Sequence, residues 1–213
     1  MQAKKDRFCA ELHTGRVCIL ALFLCAGLSW YSPVPAEEPP TTWVGRQTVG
    51  LVAGGMLPVR LMPAQASKLY GVAVHPSWQI ALTDPIGEGW WSGSIALGAE
   101  LALLGVTQPT GAYGVGFTPK LIYTFSSFGQ LKPYIEGGGG PLWTNFDGRI
   151  REQGSDFNFL VWCGTGVSYD LTRQWALNVG VRFSHISNAG TDVPNSGLNY
   201  LLPFAGISAT LFP

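Results

Sequence analysis

The sequence predicts an all-β protein, an eight-stranded antiparallel transmembrane β-barrel, and three observations carry that expectation. After the first 36 residues, no stretch approaches the roughly twenty uninterrupted apolar residues of a membrane helix. The 213-residue chain is nevertheless 46% hydrophobic and only 12% charged, with 28 glycines and 8 tryptophans. A soluble β-sandwich shares such numbers, so the third observation decides. Segment after segment sets apolar residues on one side against small or polar ones on the other, the alternation of a membrane barrel with lipid outside and a filled interior.

The chain opens on what reads as a secretory signal, residues 1–36. Lys4, Lys5, Arg7 and Arg16 form a positive start, Val17 to Trp30 is an apolar run too short for a comfortable span, and Val34-Pro35-Ala36 places small residues for cleavage after Ala36. Cys25 stands where a lipidated cysteine would, but Leu24 before it is not the small residue that such processing wants. Removing 36 of 213 residues leaves 177, a barrel domain over residues 37–213. Four of the 13 Lys and Arg and two of the 13 Asp and Glu leave with the signal, so 9 positive groups face 11 negative ones, a formal charge of −2. No nucleic-acid partner is expected of such a surface. Cys163 alone remains of four cysteines, which excludes an intrachain disulfide framework.

Eight segments then have strand character: 43–60, 69–83, 91–104, 112–125, 131–147, 156–170, 174–188 and 198–212. In the third, Ile95, Leu97, Ala99, Leu101 and Leu103 oppose Ser94, Ala96, Gly98, Glu100 and Ala102. In the fourth, Val115, Phe117, Pro119, Leu121 and Tyr123 oppose Gly114, Gly116, Thr118 and Lys120. The fifth puts Glu136 with Lys132, Tyr134 and Gly138, and the seventh puts Arg182 with Asn178, Gly180 and Ser184. Glu100, Lys120, Glu136 and Arg182 therefore share the interior, two of each sign, where pairing would sustain them. His75 falls inside by the same register. Eight strands is the smallest common membrane barrel, whose interior side chains leave no pore, so transport is not expected. Trp43, Trp90, Trp91, Trp143, Tyr169 and Trp175 lie near predicted strand ends, as interfacial girdles do. The connections near 61–68, 105–110, 148–155 and 189–197 would be extracellular. Gly137–Gly140 lacks the Lys-Ser/Thr and helix of a phosphate loop, and reads as a bend or close packing.

The chemistry lies at the outer end of the seventh strand, in FSHISNAG from Phe183 to Gly190. His185 and Ser187, two residues apart, emerge on the face of Leu177, Val179, Val181 and Phe183. Polar groups without partners in an apolar medium cost roughly 2–7 kcal/mol, so a histidine beside a hydroxyl on that face asks for a function. The pair can act as general base and nucleophile in acyl transfer. A hairpin through Thr191 to Gly197 would bring Asn199, the one polar residue on its face of the eighth strand, beside them.

His185 to Asn199, HISNAGTDVPNSGLN, resembles the active-site segment of the lipid A 3-O-deacylase family, eight-stranded outer-membrane barrels that remove an acyl chain from lipopolysaccharide. The similarity is closest from about Phe157 to the end of the chain. It implies Ser187 as nucleophile, His185 as base, and Asn188 and the Gly190 N–H as oxyanion donors. It also implies location in the bacterial outer membrane and lipid A as partner; a homodimer stays open. No carboxylate cluster reads as a metal site, so neither metal nor cofactor is expected. The family carries Glu where this chain has Asn199. Asn can orient the histidine but brings no charge to stabilise imidazolium, and Asp192 could substitute if its loop folds back. Two classes follow: an esterase acting on lipid A, or a catalytically impaired or non-enzymatic barrel with a structural or adhesion role.

Overall fold

The computed structural model describes residues 42–61, 63, 69–108 and 111–211. The expected signal, residues 1–36, lies outside the described residues, as do Phe212 and Pro213. Among the described residues eight strands form a closed antiparallel barrel: β1 (Gln47–Val59), β2 (Tyr70–Ala81), β3 (Gly93–Gln108), β4 (Ala112–Phe125), β5 (Leu131–Thr144), β6 (Phe157–Asp170), β7 (Trp175–Ser187) and β8 (Leu198–Leu211). Each pairs with its sequence neighbours, and β8 closes on β1 through Gln47↔Leu211 to Val59↔Asn199. Closure leaves no unpaired edge, the condition for strands in lipid.

Every expected segment contains a strand, with several ends displaced; β1 begins at Gln47 and not at 43, because Trp43 to Arg46 form a turn in which the Arg46 N–H bonds to the Trp43 carbonyl. β3 runs on to Gln108 because Gly105 and Val106 still pair with Tyr113 and Ala112, so the expected 105–110 connection is shorter. β5 stops at Thr144 because Phe146 turns inward and is fully buried, while Asn145 Oδ1 accepts the Tyr113 N–H. The glycine run inside β5 is a place of close packing: a Cβ on Gly140 would lie 2.1 Å from the Phe117 carbonyl oxygen. Leu97, Leu101, Phe117, Leu121, Val179 and Val181 are exposed on the outer face, as their register requires.

The interior is layered. At the end that carries the β5–β6 and β7–β8 connections, Met56, Leu104, Leu142, Phe146, Ile150, Leu160, Ile186, Leu198 and Leu202 form an apolar plug. Below it sit the four charges expected inside. Arg182 Nε donates to Glu136 Oε1 at 2.8 Å and Arg182 Nη1 to Glu100 Oε1 at 2.9 Å, while Lys120 Nζ lies 3.4 Å from Glu100 and 3.8 Å from Glu136. His75 is also interior, with Nδ1 3.1 Å from Glu100, a partner that the spacing of the strands did not reveal. Trp162 stacks on the Arg182 guanidinium at 4.0 Å. Toward the opposite end a cavity of about 160 Å³ remains, lined by residues including Arg46, Lys132, Ser168, Asp170 and Asn178. Plug and ion network together fill the barrel interior between the described strands.

Candidate active site

β7 delivers the site by simple alternation. Arg182, Ser184 and Ile186 point inward and are buried, which sends Phe183, His185 and Ser187 to the outer face. Cross-strand register sets their neighbours: His185 lies between Val161 on β6 and Asn199 on β8, and Ser187 lies opposite Phe159 on β6. Val161 and Leu201 nearby are exposed and apolar. His185 and Ser187 are themselves half-buried.

The expected partnership of His185 and Asn199 is present. His185 Nδ1 and Asn199 Oδ1 are 2.7 Å apart, and Asn199 is buried at 6% exposure, in register with Val59 on its other side. An amide oxygen only accepts, so this bond places the proton on Nδ1 and leaves Nε2 with a free lone pair. Nε2 is the nitrogen a base needs. The ring is also held from above: Gly197, at φ +69°, packs so close that a Cβ there would lie 2.6 Å from His185 Cε1. A larger residue at 197 would push the imidazole away from Asn199.

The turn that follows Ser187 is built on Asn188, which is fully buried. Its Nδ2 donates to the Asp192 carbonyl at 3.0 Å, and its Oδ1 accepts the Gly190 N–H at 2.9 Å. Its carbonyl takes the Thr191 hydroxyl and N–H. The two expected oxyanion donors are therefore committed to each other and to the turn, because a short turn must satisfy its own backbone groups. Asp192 does not replace the missing carboxylate. It is exposed, its Oδ1 accepts the neighbouring Val193 N–H at 2.7 Å, and the Nδ1 position of His185 is taken by Asn199.

Sequence reading missed the support from the β5–β6 connection. Gln153, 1% exposed, forms an antiparallel bridge with Asn195, and its Nε2 donates to the Ile186 carbonyl at 3.3 Å. A single bridge between two loops leaves no periodicity for a sequence to show.

Fold and outer-face site together define a small outer-membrane β-barrel that carries polar chemistry on its exterior. Similarity to known proteins agrees and narrows the class. Residues 65–207 match the family described as "Lipid A 3-O-deacylase (PagL)". The lipid A deacylase PagL of Pseudomonas aeruginosa is 30% identical over 162 residues, covering 69% of this chain and 89% of that protein. The chain belongs to the lipid A 3-O-deacylase (PagL) family. Among solved structures, the outer membrane enzyme PagL superposes with a TM-score of 0.51 at 22% identity, covering 75% of this chain and 97% of that one. Neisserial surface protein A superposes with a TM-score of 0.53 at 16% identity, covering 78% and 97%. At those identities the two superpositions speak for the barrel alone.

Proposed function

We propose that this protein hydrolyses an ester-linked acyl chain of lipid A at the outer leaflet, with Ser187 as nucleophile and His185 as general base. The observation that carries this reading is the 2.7 Å bond between His185 Nδ1 and Asn199 Oδ1 on an otherwise apolar outer face. It gives the imidazole the tautomer a base requires, two residues from a serine. The Ser187 hydroxyl attacks the ester carbonyl and its proton passes to His185 Nε2. Collapse of the tetrahedral intermediate returns that proton to the departing sugar oxygen, and water then releases the fatty acid by the same relay. Rotation of the Asn188 side chain would free its amide and the Gly190 N–H together, supplying two donors for the oxyanion. The test is mass spectrometry of lipid A from cells expressing the parent or Ser187→Ala. Loss of a hydroxylated acyl chain with the parent only is the expected result; an unmodified lipid A in both, or the same loss in both, goes against it.

A second reading rests on Asn199. Without a carboxylate the imidazolium that forms during attack is poorly stabilised, and the barrel would then be a catalytically impaired relative with a structural or adhesion role. An inactive parent that gains activity as Asn199→Glu supports this second reading, and an active parent supports the first.

A further inference from the structure

Ser187 occupies an exposed position in the ladder. The pairing of β7 with β8 ends at Ile186↔Leu198, so Ser187 keeps Phe159 on β6 but has no β8 partner in register. Strand ends with one-sided pairing open readily, whereas a nucleophile tolerates little displacement: about 1 Å costs on the order of a hundredfold in rate.

One chain neighbour of Ser187 is tied directly to a segment of the β5–β6 connection, and the other is tied to it through Asn195 of the β7–β8 connection. On one side, Gln153 Nε2 donates to the Ile186 carbonyl at 3.3 Å. On the other, the Asn188 N–H donates to Asn195 Oδ1 at 3.2 Å, and Asn195 is the residue bridged to Gln153. Two backbone bonds make up this bridge: Gly154 N–H to the Pro194 carbonyl at 2.8 Å and Ser196 N–H to the Glu152 carbonyl at 3.1 Å. The approach is close enough to require glycine, since a Cβ on Gly154 would lie 2.3 Å from the Val193 carbonyl oxygen. Phe146 and Ile150, buried in the apolar plug, anchor the segment to the barrel interior.

Packing alone does not account for Gln153. Its Oε1 is buried without a hydrogen-bond partner among the described residues, and an unsatisfied buried acceptor costs about 1–3 kcal/mol. An aliphatic residue of equal volume would avoid that cost but could not hold Ile186.

We propose that the 152–154 segment is a positioning strap for Ser187, in which Gln153 fixes Ile186 directly and Asn188 through Asn195. The proposal rests on Ser187 being the nucleophile. The test follows the reaction of the detergent-solubilised full chain with a fluorophosphonate, in which the serine oxygen bonds to phosphorus, fluoride leaves, and the serine proton passes to His185. Gln153→Met and Asn195→Ala should each slow labelling by about tenfold or more, with folded barrels confirmed by heat-modifiable migration. On a soluble ester the loss should fall on kcat, with KM within about twofold of the parent, because a displaced serine impairs attack and not binding. A merely structural role would instead reduce the number of labelled sites while the remainder react at the parent rate, and that result overturns the strap. So does labelling within about twofold of the parent in both variants. If Gln153→Met does not fold, Asn195→Ala, which removes one loop amide, decides alone. Labelling that persists in Ser187→Ala defeats the active-site reading itself, whereas Ser187-dependent labelling with unslowed variants defeats only the strap.

Discussion

Replacing Asn199 with Glu should accelerate ester hydrolysis, and the geometry sets limits on the gain. The His185 Nδ1 to Asn199 Oδ1 distance of 2.7 Å is already that of a good hydrogen bond, so a carboxylate adds charge with little change in position. Hydrogen bonds to charged groups contribute about 1.5–3 kcal/mol against about 0.5–1.5 for neutral ones. The difference, roughly 1–1.5 kcal/mol, corresponds to about tenfold in rate. A carboxylate also has no second orientation, while an amide that rotated would donate to Nδ1 and leave Nε2 protonated. In serine proteases that wrong tautomer costs about 10⁴ in kcat. The expected acceleration therefore lies between about tenfold and about 10⁴-fold.

Burial opposes part of this, because position 199 is 6% exposed and desolvation favours the neutral acid. The gain should accordingly be largest at neutral to mildly alkaline pH and shrink on acidification, as the carboxyl takes up its proton. The assay is release of hydroxylated fatty acid from lipid A in detergent or vesicles, measured from about pH 5 to 9 for the parent, Asn199→Glu, His185→Ala and Ser187→Ala. A folded Asn199→Glu barrel no faster than the parent at any pH refutes the assignment of Asn199 as the residue that orients the base.

Arg182→Met should be among the most damaging changes inside the barrel, because it removes the closest cation from Glu100 and Glu136, both buried, and leaves Lys120 to serve the two carboxylates at 3.4 and 3.8 Å. The expected loss is about 3–5 kcal/mol, read from urea unfolding, and Arg182→Met/Glu136→Gln should recover part of it. Asp84, in the connection after β2, accepts the Trp43 N–H and the Thr42 hydroxyl, and these bonds, the first above all, hold its carboxyl below its ordinary value. A carboxyl lowered on folding stabilises at pH above its unfolded value and loses that contribution as pH falls through the folded one. Parent and Asp84→Asn should therefore differ in stability at neutral pH and converge on acidification, as thermal melts across that range would show. Arg149 and Arg151, exposed on the β5–β6 connection, should favour binding to lipopolysaccharide vesicles through its phosphates. Replacing both with Gln should weaken flotation with such vesicles, most at low salt.

Strand number, facing and the interior charges were legible because a strand has period two: one mid-strand residue fixes the side of all the others. Glu100, Lys120, Glu136 and Arg182 each follow from their own segment, and so does the shared face of His185 and Ser187. Asn199 needed one step more, a hairpin whose closing length sets the cross-strand register, and the pair His185↔Asn199 agrees with it. Two contacts were not legible. His75 on β2 meets Glu100 on β3 diagonally, two residues from Glu100's register partner Ser77, and Gln153 meets Asn195 between two loops. The first depends on cross-strand register and the second on loop path, and neither leaves a repeating pattern within one segment. The use of Asn188 and Gly190 was hidden for a related reason. A motif shows which donors stand near a serine, but the competing acceptors, Asn188 Oδ1 and the Asp192 carbonyl, are set by the turn.

The filled interior supports the proposed placement of the chemistry on the outside. The apolar plug and the Glu100–Arg182–Glu136–Lys120 network fill the cross-section where His185 and Ser187 sit and just below it, which leaves no room there for an acyl chain. A substrate that is itself a membrane lipid need not enter, since it reaches the outer face by lateral diffusion. That placement has an electrostatic consequence. In an apolar surrounding the imidazolium formed during attack would be costly, and the interior carboxylates Glu100 and Glu136 are already paired with Arg182, Lys120 and His75. A charge at position 199 would stabilise that intermediate directly, and a neutral Asn there makes the rate depend on how well the rest of the site is positioned. Tethering both neighbours of Ser187 matters more in such a site than in one with a full triad, so strap substitutions should cost proportionately more in the parent than in an Asn199→Glu background.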